Sequence, residues 1–169
     1  MRVTLTGLAQ LDERGVRWAR TLPHPAMLTT ATAALSRATD HSDAWLLLGL
    51  GGAALDRERQ DRWLGAVGAI ALVELSSRAI KRGLPRARPQ LDGLPALAPT
   101  PSPMSFPSSH TAAAVAAVTA FSGLVPRPGL QVVAGASAFS RLYLGVHYPS
   151  DVIAGAALGR LLARRPRRA

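Results

Sequence analysis

The sequence predicts an all-α fold, a compact bundle of six to seven helices embedded in a membrane, with an amphipathic helix at its N-terminus. Three observations carry this expectation. Strand-like alternation is nearly absent, and Ala, Leu, Gly and Val fill long segments between Pro, Gly and Arg punctuation. The 169 residues suffice for one domain with a real core and are too few for two. The 20 basic and 10 acidic residues give a formal charge of +10, yet the arginines fall mostly between or at the ends of the apolar segments.

Taken in order, Leu8, Leu11, Gly15, Trp18 and Leu22 share one helical face, with Asp12, Glu13, Arg17 and Arg20 elsewhere. Residues 1–22 therefore form either an interfacial helix or an ordinary surface helix. A second helix is expected from Pro25 to Ala38. More apolar helices follow over Asp43–Leu55, Arg62–Ile80, Ser109–Val125, Pro128–Leu142 and Ser150–Ala163. None is an unbroken apolar run of the ~20 residues that cross a bilayer comfortably. Glu74 and Arg78 lie inside one of them, four apart and able to pair along a face. Their Ala, Gly and Ser content suits close packing between membrane helices.

Residues 81–109 form the one long irregular stretch, and seven of the thirteen prolines lie in it. A loop of this length is functional or disordered. Chemically equipped residues at both ends favour a lid or entry loop over a solvated linker. Leu91, Leu94, Leu97, Met104 and Phe106 are expected on the bilayer surface or at a lipid entrance.

Charge placement sets an orientation through the positive-inside rule. With Asp43–Leu55 running inward, the Arg57/Arg59/Arg62 turn, Arg127 and the basic tail 164–169 fall on the cytoplasmic face. Lys81, His110 and His147 then fall on the opposite, extracytoplasmic face. Residues 1–22 lack the continuous apolar core and cleavage site of a signal peptide. Nucleic-acid binding is disfavoured, because eight aromatic residues provide no stacking platform and no basic face is evident. With no cysteine, and with Asp12–Glu13 and Asp56–Asp61 interleaved with arginine rather than spaced with histidine, no metal or other cofactor is expected.

Three stretches carry chemistry. Lys81 is the only lysine among the basic residues and stands seven residues before Arg88–Pro89. Pro107–Ser108–Ser109–His110 opens an alanine-rich helix, where Ser108 or Ser109 is a natural N-cap and the unpaired amides make an anion site. Ser140–Arg141 precedes His147 and Asp151, whose spacing around Tyr148–Pro149 lets a carboxylate reach one ring nitrogen and leave the other to attack. Lys81, Arg88 and Arg141 are cations suited to phosphoryl oxygens, with Arg82 and Arg86 close enough in sequence to compete.

Singly these features suit capped helices and solvated ends. In this order they resemble the three-part signature of the type 2 phosphatidic acid phosphatases, a superfamily that includes bacterial acid phosphatases and vanadium haloperoxidases. The resemblance covers Lys81 to Asp151 and departs once, Ser109 standing where the family usually has Gly.

It implies that His147 is the nucleophile, Asp151 its orienting partner and His110 the general acid. Lys81, Arg88, Ser108, Ser109 and Arg141 would hold the phosphoryl oxygens, with no metal. The implied function is a membrane lipid phosphate phosphatase acting through a phosphohistidine. Its substrate would be of the polyprenyl phosphate or diphosphate, phosphorylated polyprenyl sugar, phosphatidylglycerophosphate or phosphatidate type. A soluble acid phosphatase or haloperoxidase and a catalytically silent membrane protein are the alternatives.

Overall fold

The computed structural model describes residues 2–38 and 42–164, so most of the basic tail lies outside the described residues. Seven α-helices follow in chain order: α1 Arg2–Thr21, α2 Ala26–Ala38, α3 Asp43–Leu55, α4 Gln60–Gly83, α5 Ser109–Ala120, α6 Arg127–Tyr143 and α7 Pro149–Leu162. No β-strand is found among the described residues. The sequence places all seven elements. The differences lie at their ends: α4 extends to Gly83, so Lys81 sits in its last turn, and α5 stops at Ala120 before a turn carrying Gly123 at φ +78°.

Helix α5 is the centre of the bundle and packs against α4, α6 and α7. Its alanines at 112–114, 116 and 117 are buried with Ile70, Val73 and Phe121. Small side chains on both partners let α5 and α7 approach almost backbone to backbone. A Cβ on Gly155 would lie 2.4 Å from the Ser108 carbonyl oxygen, and one on Gly159 would lie 2.1 Å from that of Ala112. This is the small-residue packing expected between membrane helices, and it sets the distance between the starts of α5 and α7.

At one end of the bundle the Arg57–Arg59 turn meets the α5–α6 turn. Arg59 Nη1 donates to the Gly123 carbonyl at 3.4 Å, and Arg62 Nη2 donates to that of Ser122 at 3.3 Å. The end of α4 and the starts of α5 and α7 lie at the other.

Helix α1 is turned opposite to a soluble surface helix. Asp12, Val16, Ala19 and Arg20 are buried, while Leu8, Leu11 and Trp18 are 50%, 63% and 60% exposed. Leu8, Leu11 and Trp18 of the apolar stripe face outward while Gly15 and Leu22 are partly buried, which favours the interfacial alternative for this helix.

The 84–108 segment is fastened along its length. Ser105 N donates to the Arg86 carbonyl at 2.7 Å and Leu97 N to that of Leu144 at 2.9 Å. Arg20 Nη2 donates to the Pro95 carbonyl at 2.9 Å. Leu91, Leu94, Leu97, Met104 and Phe106 are half-buried rather than spread on the outside; Leu97 packs on Tyr143, Leu144 and Val146.

Candidate active site

The turn after α6 brings the third chemical stretch back on itself. Gly145 adopts φ +70°, its N–H donates to the Leu142 carbonyl at 2.9 Å, and Val146 N donates to that of Arg141 at 3.0 Å. This is a Schellman ending, which needs a residue at ease in the left-handed region. It folds His147 back over Arg141, whose carbonyl also accepts from His147 N at 3.3 Å.

Pro149 then starts α7, and Asp151 in its first turn accepts from Tyr148 N through Oδ2 at 2.9 Å. The same oxygen stands 3.4 Å from His147 Nδ1. No hydrogen bond is made across that separation in this geometry, and Nδ1 has no other hydrogen-bond partner. Catalytic hydrogen bonds of this kind commonly tighten only when substrate is bound.

The other ring nitrogen fixes the tautomer. Arg88 Nη1 lies 3.2 Å from His147 Nε2 and 2.7 Å from the Val146 carbonyl, while Arg88 Nε donates to the Ser102 carbonyl at 2.8 Å. A guanidinium only donates, so Nε2 accepts and the proton of the neutral ring sits on Nδ1, facing Asp151. Burial, with the Arg88 charge beside it, outweighs the Asp151 carboxylate and pushes the His147 pKa down to about 3. The imidazole is therefore neutral at physiological pH, its lone pair on Nε2.

Helix α5 supplies the opposing side. Ser108 N donates to the Asp151 carbonyl at 3.0 Å, locking the two helix starts together. The buried Ser108 hydroxyl is the N-cap: it accepts from Thr111 N at 3.4 Å and bonds the Thr111 hydroxyl at 3.0 Å. Ser109 and His110 face the cavity, and His110 Nε2 lies 3.2 Å from the Ser36 carbonyl on α2. Lys81 Nζ reaches three carbonyls of the preceding segment, those of Met104, Ser105 and Pro107, at 3.3, 3.2 and 2.6 Å. Arg141, buried, donates through Nε and Nη2 to the Ser140 hydroxyl at 3.1 and 3.0 Å.

Lys81, Arg88, Ser109, His110, Arg141 and His147 thus line one cavity of about 370 Å³. Asp151 stands behind His147, and the Ser108 side chain is turned into the helix cap. The cavity is walled on one flank by Pro99, Thr100, Pro101 and Ser102 of the proline-rich segment, and on another by Glu74 and Arg78. Among the described residues no cluster of three or more His, Cys, Asp or Glu side chains has the arrangement of a metal site.

Sequence reasoning missed the surroundings of Asp151. Arg86, noted there only as a competing cation, donates to Asp151 Oδ1 at 2.8 Å and to Asp12 Oδ2 at 2.7 Å. Asp12, 138 residues before Ser150, also accepts from Ser150 N at 2.9 Å. No local pattern announces a contact over that span. Arg86 at least stands two residues before Arg88.

Comparison with known proteins agrees with the geometry. A sequence model described as the PAP2 superfamily matches residues 62–165. The chain is 40% identical over 136 residues to decaprenylphosphoryl-5-phosphoribose phosphatase of Mycobacterium tuberculosis, covering 80% of this chain and 76% of that one. Its fold is similar to the crystal structure of Aquifex aeolicus LpxE, with TM-score 0.75, 25% identity, and 90% and 92% of the two chains covered. A like similarity, TM-score 0.75 at 22% identity over 93% and 83% of the chains, relates the fold to a transmembrane PAP2 type phosphatidylglycerolphosphate phosphatase from Bacillus subtilis. The match over most of the helical bundle, together with the assembled cations and histidines, establishes that this chain belongs to the PAP2 superfamily and is a phosphatase of that family.

Proposed function

We propose that the protein is an integral membrane phosphatase that removes a phosphoryl group from a lipid phosphate through a phosphohistidine, with its site open to the extracytoplasmic side. The observation that carries the mechanism is the placement of His147: it lines the cavity, with Nδ1 3.4 Å from Asp151 and Nε2 3.2 Å from Arg88.

In the first step Arg88 Nη1 turns from Nε2 to a phosphoryl oxygen, and the Nε2 lone pair so freed attacks phosphorus. The N–P bond forms as the bond to the leaving oxygen breaks, and His110 gives that oxygen a proton. The imidazolium so formed keeps its Nδ1 proton, held by Asp151. In the second step water attacks the phosphohistidine, its proton passes to His110, and inorganic phosphate leaves with Nε2 restored. Lys81, Arg88 and Arg141, with the Ser109 amide at the start of α5, stabilise the equatorial oxygens as charge spreads over them.

The membrane assignment is supported by what the bundle shows outside. Leu47, Leu50 and Leu55 on α3, Leu72 and Leu75 on α4, Val132 on α6, and Ile153 and Leu161 on α7 are each about half exposed or more. So much outward apolar surface is unusual for a monomer in water. Among the described residues one helical stretch, 57–83, is long and apolar enough to cross a bilayer; α3, α5, α6 and α7, of 12–17 residues, need the bundle around them. Arg59 and Arg62 gather with the α5–α6 turn at the end away from the site, as a cytoplasmic face requires.

For the substrate class, the similarity to a decaprenylphosphoryl-phosphoribose phosphatase favours a phosphorylated polyprenyl sugar. The test is phosphate release by purified protein in detergent from a panel of polyprenyl phosphate, polyprenyl diphosphate, a phosphorylated polyprenyl sugar, phosphatidate and phosphatidylglycerophosphate. Wild-type turnover of at least one, none by His147→Ala, and an acid-labile phosphoenzyme are expected. Full activity of His147→Ala would overturn the mechanism.

A further inference from the structure

Helix α1 contributes no group to the cavity, yet its one buried carboxylate is committed to the catalytic region. Asp12 is 2% exposed. Its Oδ1 accepts from Ser150 N at 2.9 Å, and its Oδ2 accepts from the Ser150 hydroxyl and from Arg86 Nη2 at 2.7 Å. Arg86 Nη1 donates in turn to Ser150 Oγ at 2.7 Å and to Asp151 Oδ1 at 2.8 Å, and its guanidinium lies over the Tyr148 ring at 4.1 Å. With Oδ1 held by Arg86, Asp151 keeps Oδ2 for Tyr148 N and His147 Nδ1.

Docking α1 onto the bundle does not by itself require this. Burying a carboxylate costs several kcal/mol unless it is fully paired, and an apolar residue at position 12 would dock without that penalty. Every partner of Asp12 instead belongs to Ser150, next to Asp151, or to the arginine that holds Asp151. Steric fit points the same way: a Cβ on Gly15 would stand 2.5 Å from Pro149 Cγ, so α1 lies directly on the first residue of α7.

We infer that Asp12 and Arg86 are positioning residues for the nucleophile. Through them α1 fixes the Asp151 carboxylate, and through Asp151 the aim of the His147 ring, whose tautomer Arg88 already sets. The outward stripe of Leu8, Leu11 and Trp18 makes α1 the helix in contact with the membrane surface, so the seating of that helix sets the geometry of the catalytic pair. This rests on the proposed role of His147 as nucleophile.

The experiment uses the full-length protein in detergent with phosphatidate in mixed micelles as probe. It compares wild type, Asp12→Asn, Arg86→Lys and Gly15→Ala, with the exposed Glu13→Gln on the same helix as control. Turnover, thermal midpoint and the ¹⁵N-histidine spectrum are recorded, the His147 resonances being assigned by their loss in His147→Ala. Asp12→Asn and Arg86→Lys are expected to lower kcat by about 10- to 10²-fold, as a misplacement near 1 Å does, with KM unchanged and the Nδ1 resonance of His147 displaced as its proton loses the Asp151 carboxylate. Gly15→Ala should act in the same direction without any change of charge, and Glu13→Gln should match wild type.

Wild-type kcat in both charge variants overturns the inference. So does a fall in thermal midpoint with the His147 resonances unmoved, which would mark a structural role only. Should Asp12→Asn fail to fold, Arg86→Lys and Gly15→Ala decide. If wild type turns over none of the panel of lipid phosphates, or His147→Ala remains active, it is the functional reading that falls; the ¹⁵N spectra still decide the positioning role.

Discussion

Replacing Gly155 by Ala adds one methyl group where α5 and α7 pass almost backbone to backbone near their starts. The new Cβ would stand 2.4 Å from the Ser108 carbonyl oxygen and 3.3 Å from its carbon. Ordinary contact begins near 3.4 Å, so α5 and α7 must separate by about 1 Å, and the obstacle is backbone that cannot rotate aside. Overpacking of this kind destabilises by ~1–3 kcal/mol. The functional effect should be larger in proportion, because Ser108 N is bonded to the Asp151 carbonyl one turn away and His110 follows two residues later. A 1 Å shift of reacting groups lowers turnover by about 10²-fold. Gly159→Ala serves as comparison: its clash is more severe, at 2.1 Å from the Ala112 carbonyl oxygen, but it lies a further turn from the site. The assay is phosphate release with thermal midpoints in the same detergent. Gly159→Ala should lose the more stability and Gly155→Ala the more kcat. Wild-type kcat in a folded Gly155→Ala would refute the argument that α5–α7 contact sets the catalytic spacing.

Three further outcomes follow from the site. Lys81→Arg should lower kcat by at least ~10-fold, since a planar guanidinium cannot direct three donors at carbonyls converging on one point as an ammonium does; steady-state kinetics check it. Gly145→Ala places a Cβ at φ +70°, which costs about 1–2 kcal/mol, and should lower both the thermal midpoint and kcat by disturbing the turn that presents His147. For pH, burial and Arg88 hold His147 at about 3 in the folded protein against 6.5 unfolded. Above 6.5 neither state binds the proton; below it the unfolded state does and the native one does not. Stability from the neutral ring is therefore lost as pH falls from 6.5 toward 3, at no more than about 1.4 kcal/mol per pH unit. Thermal midpoints should fall faster over that range in wild type than in His147→Asn, and kcat/KM should show no limb near 6.5 that belongs to His147.

The helices were legible because their punctuation is local. Pro25, Pro128 and Pro149 stand at or beside the starts of α2, α6 and α7, and Ser108 caps α5 as its position before an alanine run requires. The motif histidines were legible through their order along the chain. Two things were not. The side that α1 turns inward was hidden because its outward stripe has the same period as a core-facing one, and only tertiary contact tells them apart. The Asp12–Arg86–Asp151 chain was hidden because it joins residues separated by 74 and 65 positions, and neither end has a neighbour that hints at the other.

The same contacts explain how four cations so close in sequence and space divide their tasks. Arg86 is pinned between two carboxylates, Asp12 and Asp151, and Arg78 is bound to Glu74 at 2.9 Å. Their charge is largely answered within the protein. Lys81 and Arg88 donate instead to carbonyl oxygens of 104, 105 and 107 and of 102 and 146. A carbonyl holds a cation in place without cancelling its charge, so the Lys81 ammonium arrives at the cavity already held, an arrangement suited to stabilising a charged transition state without reorganisation. The single lysine belongs with this second kind. It is tied to the segment that leads into Ser108, Ser109 and His110, so the ammonium that lines the cavity also holds the chain that presents His110 to it.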